Sequence, residues 1–172
     1  GSVMAASVKA VKRGASGAPG ELRGDFDLTR DLGSLYANTE CGIFGVLPQE
    51  NRPEAVGEAI PVARRTEVRT GKAVILANCR GDEVCAYEIQ IEKLYGGSAP
   101  TRNLLLRVTD PALIALTGGI VQGMSGSPIV QDGKLVGAVT HVLLDDPQRG
   151  YGILAENMLS ASGMTAQSAA SA

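Results

Sequence analysis

The stretch Gly119-Ile120-Val121-Gln122-Gly123-Met124-Ser125-Gly126-Ser127-Pro128-Ile129-Val130 decides how this chain is read. Two apolar, strand-like runs flank a turn of small residues. Such a turn can present one serine hydroxyl at a sharp bend. The glycines on either side let the backbone N–H groups of Gly123 and Ser125 point into one small cavity. Fixed donors beside a hydroxyl suit acyl chemistry, because they meet negative charge that develops only in the transition state. Ser125 is therefore the candidate nucleophile, and the Gly123 and Ser125 amides are the candidate oxyanion hole. A glycine-rich turn with a serine is more often structural than chemical, so its surroundings decide.

Downstream of the turn the chain reads as a hairpin. Pro128 to Val130 runs into Gln131-Asp132-Gly133-Lys134 and out along Leu135 to Leu144. Asp-Gly is a strong hairpin dipeptide, since both positions tolerate positive φ. Upstream, Ser7–Lys12, Cys41–Leu47, Ile60–Ala63, Ala73–Cys79, Val84–Ile91 and Leu104–Val108 are strand candidates. Cys41–Leu47 reads as a buried one. The segment 13–20 is a loop rich in turn formers. Asp110 to Leu116 is a short helix with Pro111 suited to its first turn, and Ala155 to Ala161 is a small terminal helix. The Ala/Ser-rich tail, residues 162–172, has the composition of a disordered segment. The expected fold is mostly β, an antiparallel barrel or sandwich with few short helices.

Composition narrows the function. The chain has 172 residues, room for one domain with a real core. Two Phe, four Tyr and no Trp mean that the core is built from Val, Ile, Leu and Ala. Twenty-two Gly and eight Pro favour short strands and many turns. A net charge of −2 and so few aromatic residues argue against nucleic-acid binding. The three cysteines form no CxxC pair and His141 is the sole histidine, so no metal site and no cofactor is expected. Cys79 and Cys85 flank the turn Arg80-Gly81-Asp82-Glu83 and read as two small packed side chains rather than a disulfide. No run approaches the ~20 apolar residues of a membrane span, and Gly1-Ser2 reads as an expression scar.

The pattern Gly-x-Ser-Gly-x-Pro, set between two strands, matches the nucleophile turn of trypsin-like serine peptidases. It does not fit the strand–turn–helix elbow of α/β-hydrolases. The run Thr117 to Val130, continuing through Gly133 to Val142, Asp146-Pro147 and Gly150-Tyr151-Gly152, closely resembles the stage IV sporulation protein B peptidase family. Weaker similarity reaches back through Gly42-Ile43-Phe44-Gly45 to Pro19-Gly20-Glu21, so it covers residues 1–161, nearly everything before the tail. The resemblance implies a trypsin-like antiparallel double barrel, with the first barrel incomplete, and a serine endopeptidase that signals between the compartments of a sporulating bacterium. Members of the family cleave themselves and a regulatory protein partner. They carry an N-terminal membrane anchor and a peptide-binding PDZ domain, and they act in the space between forespore and mother cell. By resemblance Ser125 matches the nucleophile and Asp110 the acidic triad member.

The family's catalytic histidine belongs to a motif N-terminal to the segment matching Val8 to Val11. The chain is therefore expected to be the C-terminal part of a larger peptidase and inactive alone. His141, with Thr140, is expected to line the substrate cleft rather than to serve as the base. Substrate would be extended polypeptide bound by strand addition. An open first barrel leaves an unpaired edge that favours an edge-paired dimer. The rival reading is a non-catalytic, peptide-binding β-domain on a peptidase-like scaffold.

Overall fold

A computed structural model describes residues 1–54, 58–96 and 99–163; the expected disordered tail lies almost wholly outside them. In chain order the strands are β1 (Ser2–Val3), β2 (Ala6–Lys12), β3 (Glu21–Phe26), β4 (Gly33–Thr39), β5 (Gly42–Val46), β6 (Gly71–Arg80), β7 (Glu83–Leu94), β8 (Leu104–Val108), β9 (Pro128–Gln131), β10 (Lys134–Leu143) and β11 (Asp146–Leu154). Two α-helices join them, α1 (Pro111–Thr117) and α2 (Ala155–Ala161).

The second half of the chain closes on itself. Strands β10-β11-β8-β7-β6-β9 form a closed antiparallel barrel. Closure follows from strict alternation: in β6 the side chains of Ala73, Ile75, Ala77 and Cys79 are buried while their neighbours face outward. Ile75, Ile91, Leu104, Leu113 and Ile129 are fully shielded from water and form the barrel's centre together with Leu106, Met124 and Val136. The hairpin β9–β10 turns at Asp132 (φ 50°) and Gly133 (φ 74°), as an Asp-Gly loop should.

The first half stays open. β1, β4 and β5 make a three-stranded sheet and β2–β3 a separate hairpin. This is the trypsin-like plan of two β units with the first one unclosed. The hairpin is nevertheless fastened to the barrel. Val8 and Gly81 exchange backbone hydrogen bonds of 3.1 and 2.9 Å at the tip of the β6–β7 hairpin.

Three local expectations are corrected. Cys41–Leu47 is not buried. Its strand, β5, is an edge strand, and Ile43 and Val46 are 61% and 56% exposed because no layer covers that side. Ile60–Ala63 forms only one bridge, Val62 to Leu135, next to Pro61, which has no N–H for a ladder. Strands β3, β4 and β11 were not expected at all: the first two are polar and largely exposed, and the third contains Pro147, Gly150 and Gly152.

Gly20 is a tight packing point where the N-terminal loop meets Val121. A methyl group there would stand 2.4 Å from the Gly14 nitrogen, 2.5 Å from the Lys12 oxygen and 2.6 Å from Val121 Cγ1. Two of these atoms are backbone and cannot swing aside. We expect Gly20→Ala to lower unfolding free energy by about 2–3 kcal/mol, measured by urea denaturation, whereas Gly17→Ala, with open space around it, pays only the cost of its left-handed φ.

Candidate active site

The serine turn leaves the barrel between Gly118 and Pro128. Its walls are hydrogen bonds from three directions. The Ile120 amide donates to the Pro147 carbonyl (2.7 Å), the Gln122 amide to Gly20 (3.0 Å), and the Leu22 amide to Gln122 (2.8 Å). Met124 points into the core, 1% exposed, and pins the middle of the turn. Gly126 and Ser127 then run beside β10, with the Gly126 amide donating to Val139 (2.8 Å) and the Val139 amide to Ser127 (3.0 Å).

Between these anchors, Ser125 is exposed. Its Oγ donates to the Thr140 carbonyl at 3.0 Å. That acceptor is available because β10 bulges: Val139 pairs with Gly152 and His141 with Tyr151, so Thr140 has no opposite number on β11. The Thr140 hydroxyl turns the other way and donates to the Tyr151 carbonyl (3.1 Å). Gly123 adopts φ +96°, a conformation that side-chain-bearing residues rarely take. Among the described residues the amides of Gly123 and Ser125 make no hydrogen bond. Two unpaired donors thus flank one exposed hydroxyl, a geometry that can receive an oxyanion.

Asp110 sits elsewhere. It caps α1, with Oδ1 accepting from the amides of Ala112 (2.8 Å) and Leu113 (3.2 Å) and Oδ2 accepting from the amide of Glu88 (3.1 Å). Burial opposes ionisation, but the amides of Glu88, Leu113 and Ala112 outweigh it and hold the carboxyl below the usual aspartate range. His141 pairs with Tyr151, and Tyr151 with Leu105, so Asp110 lies past the end of β8, two strands away and five residues beyond Leu105. Strand spacing alone makes that gap on the order of 10 Å. No hydrogen bond joins Asp110 to Ser125 or His141 among the described residues.

His141 is exposed on β10, next to the Thr140 carbonyl that holds Ser125. Its side chain makes no hydrogen bond among the described residues. The structure therefore brings together Ser125, Gly123, Thr140 and His141, and leaves Asp110 apart. Two supports have no signal in the sequence: the bulge at Thr140 and the clasp of Gly20 and Leu22 on Gln122. Cys79 and Cys85 are free thiols beneath the same end of the barrel. Burial first, then the two neighbouring thiols, push the Tyr87 phenol up to about 12, so it stays protonated and is no base at neutral pH. Among the described residues no cluster of His, Cys, Asp and Glu could hold a metal.

The model of the SpoIVB peptidase S55 family matches residues 1–159. The chain belongs to that family. It is thus a serine peptidase domain. Solved structures agree on the fold. The Rv3671c protease of M. tuberculosis in its active form is 17% identical, with a TM-score of 0.52 over 95% of this chain and 82% of that one. The inactive form of that protease is 20% identical, with a TM-score of 0.50 over 78% and 69%. No curated protein sequence matches the chain.

Within this S55 domain the two roles open to Asp110 separate experimentally. Asn caps a helix about as well as Asp, whereas Ala loses about 1 kcal/mol. We expect Asp110→Ala to be destabilised by at least about that amount at pH 7 and Asp110→Asn by less, both read from thermal melts. Asn keeps the cap on α1 and loses only the acceptor facing the Glu88 amide. The carboxyl's folded pKa is depressed, so its contribution is complete above the unfolded value and disappears as pH falls through the folded one. The Asp110→Ala difference should accordingly shrink below about pH 4.

Proposed function

We propose that this chain is the serine-bearing domain of an endopeptidase of the sporulation-signalling kind, which cleaves itself and a regulatory protein partner. In this reading Ser125 attacks the scissile carbonyl, and the Gly123 and Ser125 amides hold the oxygen that becomes negative. Thr140 and His141 border the cleft and present β10 to extended substrate. Asp110 belongs to the machinery by resemblance. Its cap on α1 supports a positioning role through the helix that leads into the serine turn. The protein would act across the forespore membrane, anchored in its full-length form with a PDZ domain. Among the described residues no helix is long and apolar enough to cross a membrane.

One observation carries the reading: an exposed hydroxyl flanked by two unpaired amides. The same geometry describes a serine at rest. The Ser125 proton points at a peptide carbonyl, which cannot accept it as a base, and the chain's only imidazole makes no hydrogen bond to it. By itself the chain is therefore expected to hydrolyse peptides slowly or not at all, since loss of a triad member costs several orders of magnitude.

Labelling with a fluorophosphonate tests this. We expect slow modification at Ser125, faster labelling when free imidazole is added as a surrogate base, and none in Ser125→Ala. His141→Ala should change the rate less than about threefold, whereas general-base duty would cost about 100-fold or more. Modification that persists in Ser125→Ala would remove the enzyme reading and leave the peptide-binding scaffold.

A further inference from the structure

An apolar groove of about 310 Å³ begins one residue past Ser125. Gly126 and Pro128 line it together with Leu135 and Ala138 of the barrel and Met158 and Leu159 of α2. Ile43 and Phe44 of β5, the edge strand of the open sheet, complete the lining. We propose that this groove between β5, α2 and the start of β9 is a substrate subsite, which takes an extended, apolar segment of the polypeptide whose peptide bond is presented to Ser125. The proposal rests on the peptidase reading above and assigns that site its substrate class.

Three observations select this occupant. The groove is continuous with the serine turn: Gly126 lines it, and the amide of the same residue holds the turn against Val139. A polypeptide laid across Ser125 therefore has the groove beside the next residue of the turn. The outer edge of β5 has no strand partner among the described residues. It offers backbone groups for strand addition, in which alternate side chains of the guest point into the recess. The lining is almost wholly hydrocarbon and contains no charged side chain. It therefore discriminates by burial, and a charged or amide side chain would be left without partners. A cavity of roughly 150 Å³ holds a benzene ring, so this volume accommodates about two branched apolar side chains.

Ile43 strengthens the case. A large aliphatic residue 61% exposed on a strand edge gains little in the free chain, but becomes buried when a segment pairs with β5. The lining itself is braced. Tyr36 of β4 donates its hydroxyl to the Ser162 carbonyl at the end of α2 (3.2 Å), so sheet and helix keep the groove open as a unit.

The test uses Ser125→Ala, so that binding is read without cleavage. Fluorescein-labelled peptides of about ten residues, one with Leu or Val at every second position and one with Ser or Asn there, are compared by anisotropy. We expect the apolar peptide to bind at least about tenfold tighter. Ile43→Asp, at an exposed position, and Leu159→Asp, at a half-buried one, should each remove most of that preference, and Ile43→Asp should do so with the circular dichroism melt unchanged. Equal affinity for both peptides, or a preference untouched by both variants, would overturn the subsite. So would variants that abolish self-association in sedimentation without changing peptide affinity, because the groove would then belong to a second copy. Failure of the peptidase reading looks different: fluorophosphonate would label wild type and Ser125→Ala alike while peptide selectivity persisted.

Discussion

The site depends on the clasp between Gln122 and the first residues of β3. Gln122 donates to Gly20 and accepts from Leu22, so the segment leading into the serine turn is held by the N-terminal hairpin. Without that clasp, the small residues from Gly123 to Ser127 would have many backbone states of similar energy, and ordering them costs roughly 1–2 kcal/mol per residue. With it, Met124 is driven into the core and the amides on either side are left unpaired among the described residues. The hairpin is itself held by Val8 on Gly81, and Leu22 and Arg13 add side-chain contacts to the barrel core and to the Ile114 carbonyl.

The barrel does a different job. Its six strands share one interior with very little aromatic content, and its rigidity comes from interdigitated branched aliphatics. A closed sheet has no edge, and the bulge at Thr140 is its one local concession near the site. That bulge releases a carbonyl from the ladder and gives the Ser125 hydroxyl an acceptor. Outside the barrel, Glu92 links Arg107 and Arg149 across β7, β8 and β11. As a partly exposed network it steadies the sheet's outer face only modestly.

What could be read from residues alone follows from what each strand buries. β6 through β10 announce themselves because alternation and the Asp-Gly turn both report a buried face. β3 and β4 are silent because they bury little, and their strand character comes from partners distant in sequence. β5 misleads for the opposite reason: Cys-Gly-Ile-Phe-Gly-Val-Leu has a core composition but lies at an edge. At the site, the turn around Ser125 is legible as a turn because small residues interrupt two apolar runs. Asp110 was legible as a helix start, with Pro111 behind it, and its carboxylate serves that start. The bulge at Thr140 depends on register with β11 and carries no local mark.

An exposed serine with its proton given to a carbonyl is a stable resting arrangement rather than a damaged one. The Thr140 acceptor holds Oγ in one rotamer at 3.0 Å, which orients the nucleophile without ionising it. Activation then requires only that a base approach from the solvent side and outcompete a neutral acceptor for one proton. A charge-assisted bond of that kind exceeds a neutral one by roughly a factor of two, which favours that exchange. On the proposed reading, the unpaired Gly123 and Ser125 amides would serve as oxyanion donors without first giving up another hydrogen bond. The scaffold therefore separates two tasks that a triad usually merges: aiming the hydroxyl, which β10 does through its own backbone, and removing its proton.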